Sequence, residues 1–163
     1  MKVAIFIGSA SDFDVVKGSL DMLKKFDVPY ALEVSSAHRT PERTVRLVKQ
    51  MERDGAEIFI SVAGKAAHLG GVIAAHTAKP VIGVPVGSAT LNGMDALLST
   101  VQMPRGVPVA CMGVGKSGAV NAALLAVQIL SLQDEKLAEK MTAFREDMAA
   151  EVEQSSEEVK TKI

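Results

Sequence analysis

The sequence predicts an α/β fold: a three-layer sandwich around a parallel five-stranded sheet, with one extra helix at the C-terminus. Three observations predict it. Short apolar runs of strand length alternate with segments that are apolar at helical spacing, five times over. The runs are almost continuously apolar, as strands covered on both faces are. Each also ends in small residues: Gly8-Ser9, Ser35-Ser36-Ala37, Ala63-Gly64, Gly87-Ser88 and Gly113-Val114-Gly115. Right-handed crossovers then make a flavodoxin-like or Rossmann-like arrangement the default.

The elements follow in order. Residues 3–7 read as the first strand, and Ser11 or Asp12 as the cap of the next helix, with Asp14 in its first turn. Val15, Val16, Leu20, Leu23 and Phe26 share one side of that helix. Val28-Pro29 closes it, and residues 30–34 form the second strand. Thr40 is a good N-cap and Pro41 suits the first helical position, so residues 42–55 read as a helix. Its buried side carries Val45, Leu47, Val48 and Met51. Residues 56–63 are the third strand, and a short helix of small residues leads on to Pro80. Residues 81–86 are the fourth strand, followed by Gly87-Ser88-Ala89-Thr90 and a helix near 94–101. Residues 107–112 read as the fifth strand and 117–132 as a very apolar helix.

No linker or repeat interrupts residues 1–132, the expected catalytic domain; residues 133–163 change character. They are charge-rich, yet Leu137, Met141, Phe144, Met148 and Val152 form one apolar stripe at helical spacing. Such a helix packs on its own domain or on a neighbouring subunit. The last residues, from about Ser155, are expected to fray.

Composition narrows the function. Of 163 residues, 48% are hydrophobic and 23% charged, which is an ordinary globular balance rather than a disordered one. The net charge is −1 with no basic block, so nucleic acid is excluded as an expected partner. The apolar start is too short for a signal peptide and far too short to span a membrane. One cysteine, Cys111, excludes an intrachain disulfide framework and fits a reducing cytoplasm.

Ligands of open α/β sheets bind at the carboxyl ends of the strands. The five small-residue strand ends lie on that edge and leave room for a ligand to approach the backbone. Gly8-Ser9-Ala10-Ser11-Asp12 offers a phosphate site on Ser9 and backbone N–H groups, with Asp12 accepting from sugar hydroxyls. Ser11 and Asp12 are equally plain helix caps. His38 can act as an acid–base near neutrality, and Arg39 can pair with phosphate or carboxylate. A surface histidine and a solvated arginine are the bland readings. His68, in a loop of glycine and alanine, is a second polar candidate; His76 reads as a surface or packing residue. The three histidines lack the spacing of a zinc motif, so no metal is expected.

Two apparent motifs fail. Residues 113–118 fit GxGxxG but close the last unit, with no further strand to carry the ribose-binding acid. Gly115-Lys116-Ser117 looks like the end of a phosphate loop, but Ala110 stands where that loop needs glycine.

Four ordered motifs carry a specific resemblance: Gly-Ser-x-Ser-Asp at 8–12, Ser-Ala-His-Arg-Thr-Pro at 36–41, Ala-Gly-x-Ala-Ala-His-Leu at 63–69 and Gln-Met-Pro-x-Gly-x-Pro-Val at 102–109. Together, from Lys2 to about Leu132, they resemble the bacterial N5-carboxyaminoimidazole ribonucleotide mutases of purine biosynthesis. The resemblance implies a flavodoxin-like homo-octamer with no metal and no organic cofactor. It implies C-terminal helices that reach across to neighbouring subunits. It also implies a carboxylate shift from the exocyclic nitrogen of the substrate to ring carbon C4. By motif, Ser9, Asp12 and Arg39 would bind the ribonucleotide, with Ser36 at the phosphate. His38 would be the acid–base. The loop with Gly64, Ala66, His68 and Leu69 would close around the imidazole and the migrating carboxyl. A histidine that protonates the nitrogen, and later removes the C4 proton after recapture of CO2, suffices for such a shift. The small loop seats CO2 and excludes water.

The sequence departs from that pattern twice. Those mutases usually have glycine where Lys65 stands and often proline where Gly70 stands. Related enzymes that carboxylate aminoimidazole ribonucleotide directly with CO2 tend to have a basic residue at the Lys65 position. They typically lack the histidine matching His68 and have lysine in place of Arg39. Arg39, Thr40-Pro41 and Ala66-Ala67-His68-Leu69 favour the mutase; Lys65 keeps the direct carboxylase as the alternative. A nucleotide-binding module without turnover is the alternative from another class.

Overall fold

The computed structural model describes residues 1–88 and 90–163; Ala89, read above as part of the loop after the fourth strand, lies outside them. The described strands are β1 Val3–Ile7, β2 Tyr30–Val34, β3 Ile58–Gly64, β4 Val81–Val86 and β5 Ala110–Cys111. They form one parallel sheet in the order β2-β1-β3-β4-β5. This is the flavodoxin-like order, in which the connections reverse direction between β1 and β3. The described helices are α1 Phe13–Lys25, α2 Pro41–Arg53, α3 Leu69–Ala74, α4 Met94–Val101, α5 Lys116–Ser131 and α6 Glu135–Lys160. The chain divides into two compact units, Met1–Ala126 and Val127–Ile163. Among the described residues no helix is long and apolar enough to cross a membrane.

In the first unit both faces of the sheet are covered. Ala4, Phe6, Phe59 and Val81 pack with Val48 and Met51 of α2 and Leu69 and Ile73 of α3. Side chains alternate along a strand, so Val3, Ile5 and Ile7 serve the other face. There α1 and the start of α5 lie close: Ser19 Oγ donates to Ala119 O at 2.7 Å. α4 sits on β4 because residue 83 is glycine. A Cβ there would stand 2.4 Å from Thr100 Cγ2 and 3.0 Å from Val109 Cγ1.

Local differences from the sequence reading have plain causes. Asp12, one of the two expected caps, holds the N-cap position of α1, but its side chain makes no cap bond. A single 3-10 turn, Ala10–Asp12, precedes α1, and Ser9 caps it by accepting from Ser11 N at 3.4 Å. Thr40 holds the N-cap position of α2, and its carbonyl accepts from Thr44 N at 3.0 Å. Its hydroxyl caps nothing in α2; it donates to Ser36 O at 3.0 Å. On α2 the buried residues are Thr44, Val48 and Met51, while Val45 and Leu47 are only half-buried. Thr44 can be buried because its hydroxyl meets Ser35 Oγ at 2.8 Å. β5 shrinks from the expected 107–112 to two residues. Gly106 turns at φ 97°, and Pro108 has no N–H to give to the ladder.

In the second unit the helix continues beyond Ser155. α6 runs to Lys160, helped by a Gln154–Glu158 hydrogen bond of 3.1 Å and a Lys160–Glu157 ion pair of 2.6 Å. Its apolar stripe divides. Leu137 and Met141 are buried, whereas Met148 and Val152 are exposed.

Candidate active site

The strand ends that converge at the β1/β3 reversal enclose a cleft of about 630 Å³. Four loops build it: those after β1, β2, β3 and β4. Ser9, Asp12, Ser36, His38, Arg39, Gly64, Ala66 and Leu69 all line it. His68 does not line it; its ring turns to His38 and borders a neighbouring groove with His76 and Met103. The fifth small-residue strand end, residues 113–115, is not in the cleft wall.

The loop after β1 is short and polar. Ser11 Oγ donates to Ser9 Oγ at 3.0 Å, and Asp12 N donates to Ser9 O at 3.0 Å. Burial raises the Asp12 carboxyl above its ordinary value, against the opposing pull of hydrogen bonds from Ser9 and Ser11. The loop after β2 folds as a tight turn on Ser36. Its hydroxyl accepts from Arg39 N at 3.2 Å, and its carbonyl accepts from Thr40 N at 2.9 Å. Arg39 then reaches across to β1, where Nη2 donates to Gly8 O at 3.1 Å. That bond uses one of five N–H groups and leaves the rest of the fork for an anion.

His38 and His68 meet through ring nitrogens. His38 Nε2 lies 2.8 Å from His68 Nδ1, with ring centres 4.9 Å apart and planes 88° apart. Both are exposed, so solvent can exchange their protons. His76 is held apart from them, its Nδ1 on Val72 O at 2.8 Å, as a packing histidine is. Gly70 also has a reason: a Cβ there would stand 2.6 Å from Ser61 Oγ.

Sequence reasoning did not single out Val86 as a cleft residue; Ala37, Gly87 and Ser88 were legible only as small residues at strand ends, and Ser11 only as part of the loop after β1. Nor did it find the bond between the histidines, because 30 residues separate them in the chain. Among the described residues no group of three or more His, Cys, Asp or Glu could hold a metal ion.

Comparison with known proteins identifies relatives of the whole chain. The family model described as AIR carboxylase matches residues 2–151. The N5-carboxyaminoimidazole ribonucleotide mutase of Bacillus subtilis is 51% identical over 157 residues, 96% of this chain and 97% of that protein. The Escherichia coli protein of the same name is 46% identical over 151 residues, 93% of this chain and 89% of that one. Among solved structures, Treponema denticola PurE aligns with a TM-score of 0.88 at 31% identity, over 97% of this chain and 98% of that one.

Proposed function

The chain belongs to the AIR carboxylase family, and from that premise we propose that it is a mutase converting N5-carboxyaminoimidazole ribonucleotide to 4-carboxy-5-aminoimidazole ribonucleotide in purine biosynthesis. The carrying observation is the 2.8 Å contact between His38 and His68 beside a cleft that also holds Ser9, Ser36 and Arg39. Serine hydroxyls and a guanidinium suit a phosphate, and Asp12 suits ribose hydroxyls. The small wall at Gly64 and Ala66 leaves room for a planar imidazole and its carboxyl.

In this reading His38 gives a proton to the exocyclic nitrogen as the N–CO2 bond breaks. The freed CO2 stays in the cleft, and C4 of the enamine-like ring attacks it. C4 then carries both hydrogen and carboxylate, and His38 takes that hydrogen as a proton to restore aromaticity. The histidine ends as it began, so one titrating group serves both steps. His68 makes the reversal possible. When His38 Nε2–H donates to His68, which then holds its own hydrogen on Nε2 alone, the other nitrogen of His38 is a base. When His68 carries hydrogen on both nitrogens and donates Nδ1–H instead, that nitrogen of His38 carries hydrogen and is an acid; the second state holds one proton more, the one given to the exocyclic nitrogen and later regained from C4. The reaction draws on no metal or organic cofactor. The resemblance further makes the working unit a homo-octamer in the cytoplasm. Exposed Met94, Leu98 and Val101 on α4, with Met148 and Val152 on α6, supply apolar surface for such assembly.

The test is turnover of N5-carboxyaminoimidazole ribonucleotide by the parent and by His38→Asn. The variant should lose at least about a hundredfold in kcat, the lower end of what acid–base catalysis contributes. Equal activity removes the assignment. Lys65 in the cleft wall favours a second reading, direct carboxylation of 5-aminoimidazole ribonucleotide. Efficient turnover of that ribonucleotide with bicarbonate, and none of the N-carboxylated one, would establish it instead.

A further inference from the structure

Lys65 is the cleft residue that the backbone explains least. Its φ is 56°, in the left-handed region. Asp27 and Asn92 share that region, and their short polar side chains tolerate it by local hydrogen bonding. A lysine has no such compensation, and glycine would take the same turn freely. A residue held in a glycine conformation within a site points to a use for its side chain. The use is electrostatic, because an ammonium is what Lys65 adds.

The charge inventory of the cleft says where. Apart from His38, its lining carries three charged side chains: Asp12, Arg39 and Lys65. Arg39 is tied to Gly8 O, on the side formed by the loops after β1 and β2. Lys65 stands on the loop after β3 and is exposed. Among the described residues it forms no ion pair, whereas Lys2, Lys49 and Lys160 each hold a glutamate. The ribonucleotide proposed above carries two separate anions, a phosphate and a carboxylate. Two cations on different loops match two separate anions.

We propose that Lys65 is the counter-ion of the substrate's carboxylate and sets the preference of the cleft for a carboxylated ribonucleotide over its decarboxylated counterpart. The proposal rests on the ribonucleotide reading of the site. It makes Lys65 a specificity-determining residue, with His38 still the proton carrier.

Calorimetric titration with two ligands tests it. Both 4-carboxy-5-aminoimidazole ribonucleotide and 5-aminoimidazole ribonucleotide carry the phosphate; the first alone carries the carboxylate. Lys65→Gly and Lys65→Met should weaken binding of the first by about tenfold or more, the scale of one charge-assisted contact. Binding of the second should change by less than about twofold, and Lys65→Arg should restore the preference. Lys65→Gly should also melt higher than the parent, since glycine relieves the backbone, so lost affinity cannot be ascribed to unfolding. Equal weakening of both ligands overturns the proposal in favour of a phosphate contact. Unchanged binding of both overturns it outright. A parent that binds neither ribonucleotide overturns the functional reading, and this proposal with it.

Discussion

Replacing His68 by phenylalanine isolates the hydrogen bond between the two histidines. The ring contact, with centres 4.9 Å apart and planes 88° apart, is of a kind that phenylalanine can keep. The variant removes Nδ1, and with it the 2.8 Å bond to His38 Nε2. For folding the loss is small: a net hydrogen bond is worth about 0.5–1.5 kcal/mol, and exposed rings sit at the low end. The melting temperature should therefore move by less than about 3 °C for a domain of this size. For catalysis the loss is larger. His38 keeps its ring but loses the partner that fixes its orientation and exchanges its tautomer. A kcat reduced by about 10- to 100-fold, or about 1.4–2.7 kcal/mol of barrier, is expected. KM should stay within about threefold, because Ser9, Ser36 and Arg39 are untouched. Steady-state kinetics on the N-carboxylated substrate, with a melting curve beside it, make the measurement. An unchanged kcat, or a loss confined to KM, would refute the reasoning.

Two further outcomes concern the fold and its charge. Gly83→Ala places a methyl group 2.4 Å from Thr100 Cγ2, and such overpacking should cost about 1–3 kcal/mol, read as a fall in melting temperature or denaturation midpoint. Burial raises the Asp12 carboxyl above its ordinary value of 3.8. The folded state therefore holds the Asp12 proton at pH values where the unfolded state has released it. Stability from this group is greatest below the unfolded value and falls as pH rises through the folded one. Asp12→Asn should accordingly melt higher than the parent at neutral pH, with the advantage fading below about pH 3.8. Differential scanning fluorimetry across pH checks the sign, and a constant advantage would show that charge is not its origin.

The strands were the most legible part of the sequence. β1, β2 and β4 fall on the expected residues because each is an apolar run between turn-forming residues. β5 was not legible as drawn, since Val107 and Val109 look like strand residues while Pro108 and the turn at Gly106 break the ladder. Cap positions were legible by residue type, since Asp12 and Thr40 stand at the N-caps of α1 and α2, but their side chains make no cap bond there. Ser9 takes a cap of its own because a 3-10 turn intervenes before α1. Most of the cleft was legible because small residues at strand ends converge in any parallel sheet. What a linear reading could not supply was contact between loops. The His38–His68 bond and the Arg39–Gly8 tie both join segments that only the strand order brings together. The strain at Lys65 was also invisible, since φ is a property of the folded turn.

The strand order gives the histidine pair a further meaning. His38 follows β2 and His68 follows β3, and β1 lies between those strands. Two inter-strand spacings amount to about 9.6 Å, more than a single side chain comfortably bridges. Two imidazoles joined through their nitrogens close that gap, so the pair is a gauge of sheet width at the carboxyl edge. Its proton can pass between the rings only while β2 and β3 keep their distance across β1. The two parallel ladders that β1 makes, one with β2 and one with β3, hold that distance. In this sense the backbone of a strand that carries neither histidine sets the tolerance within which the two can share a proton.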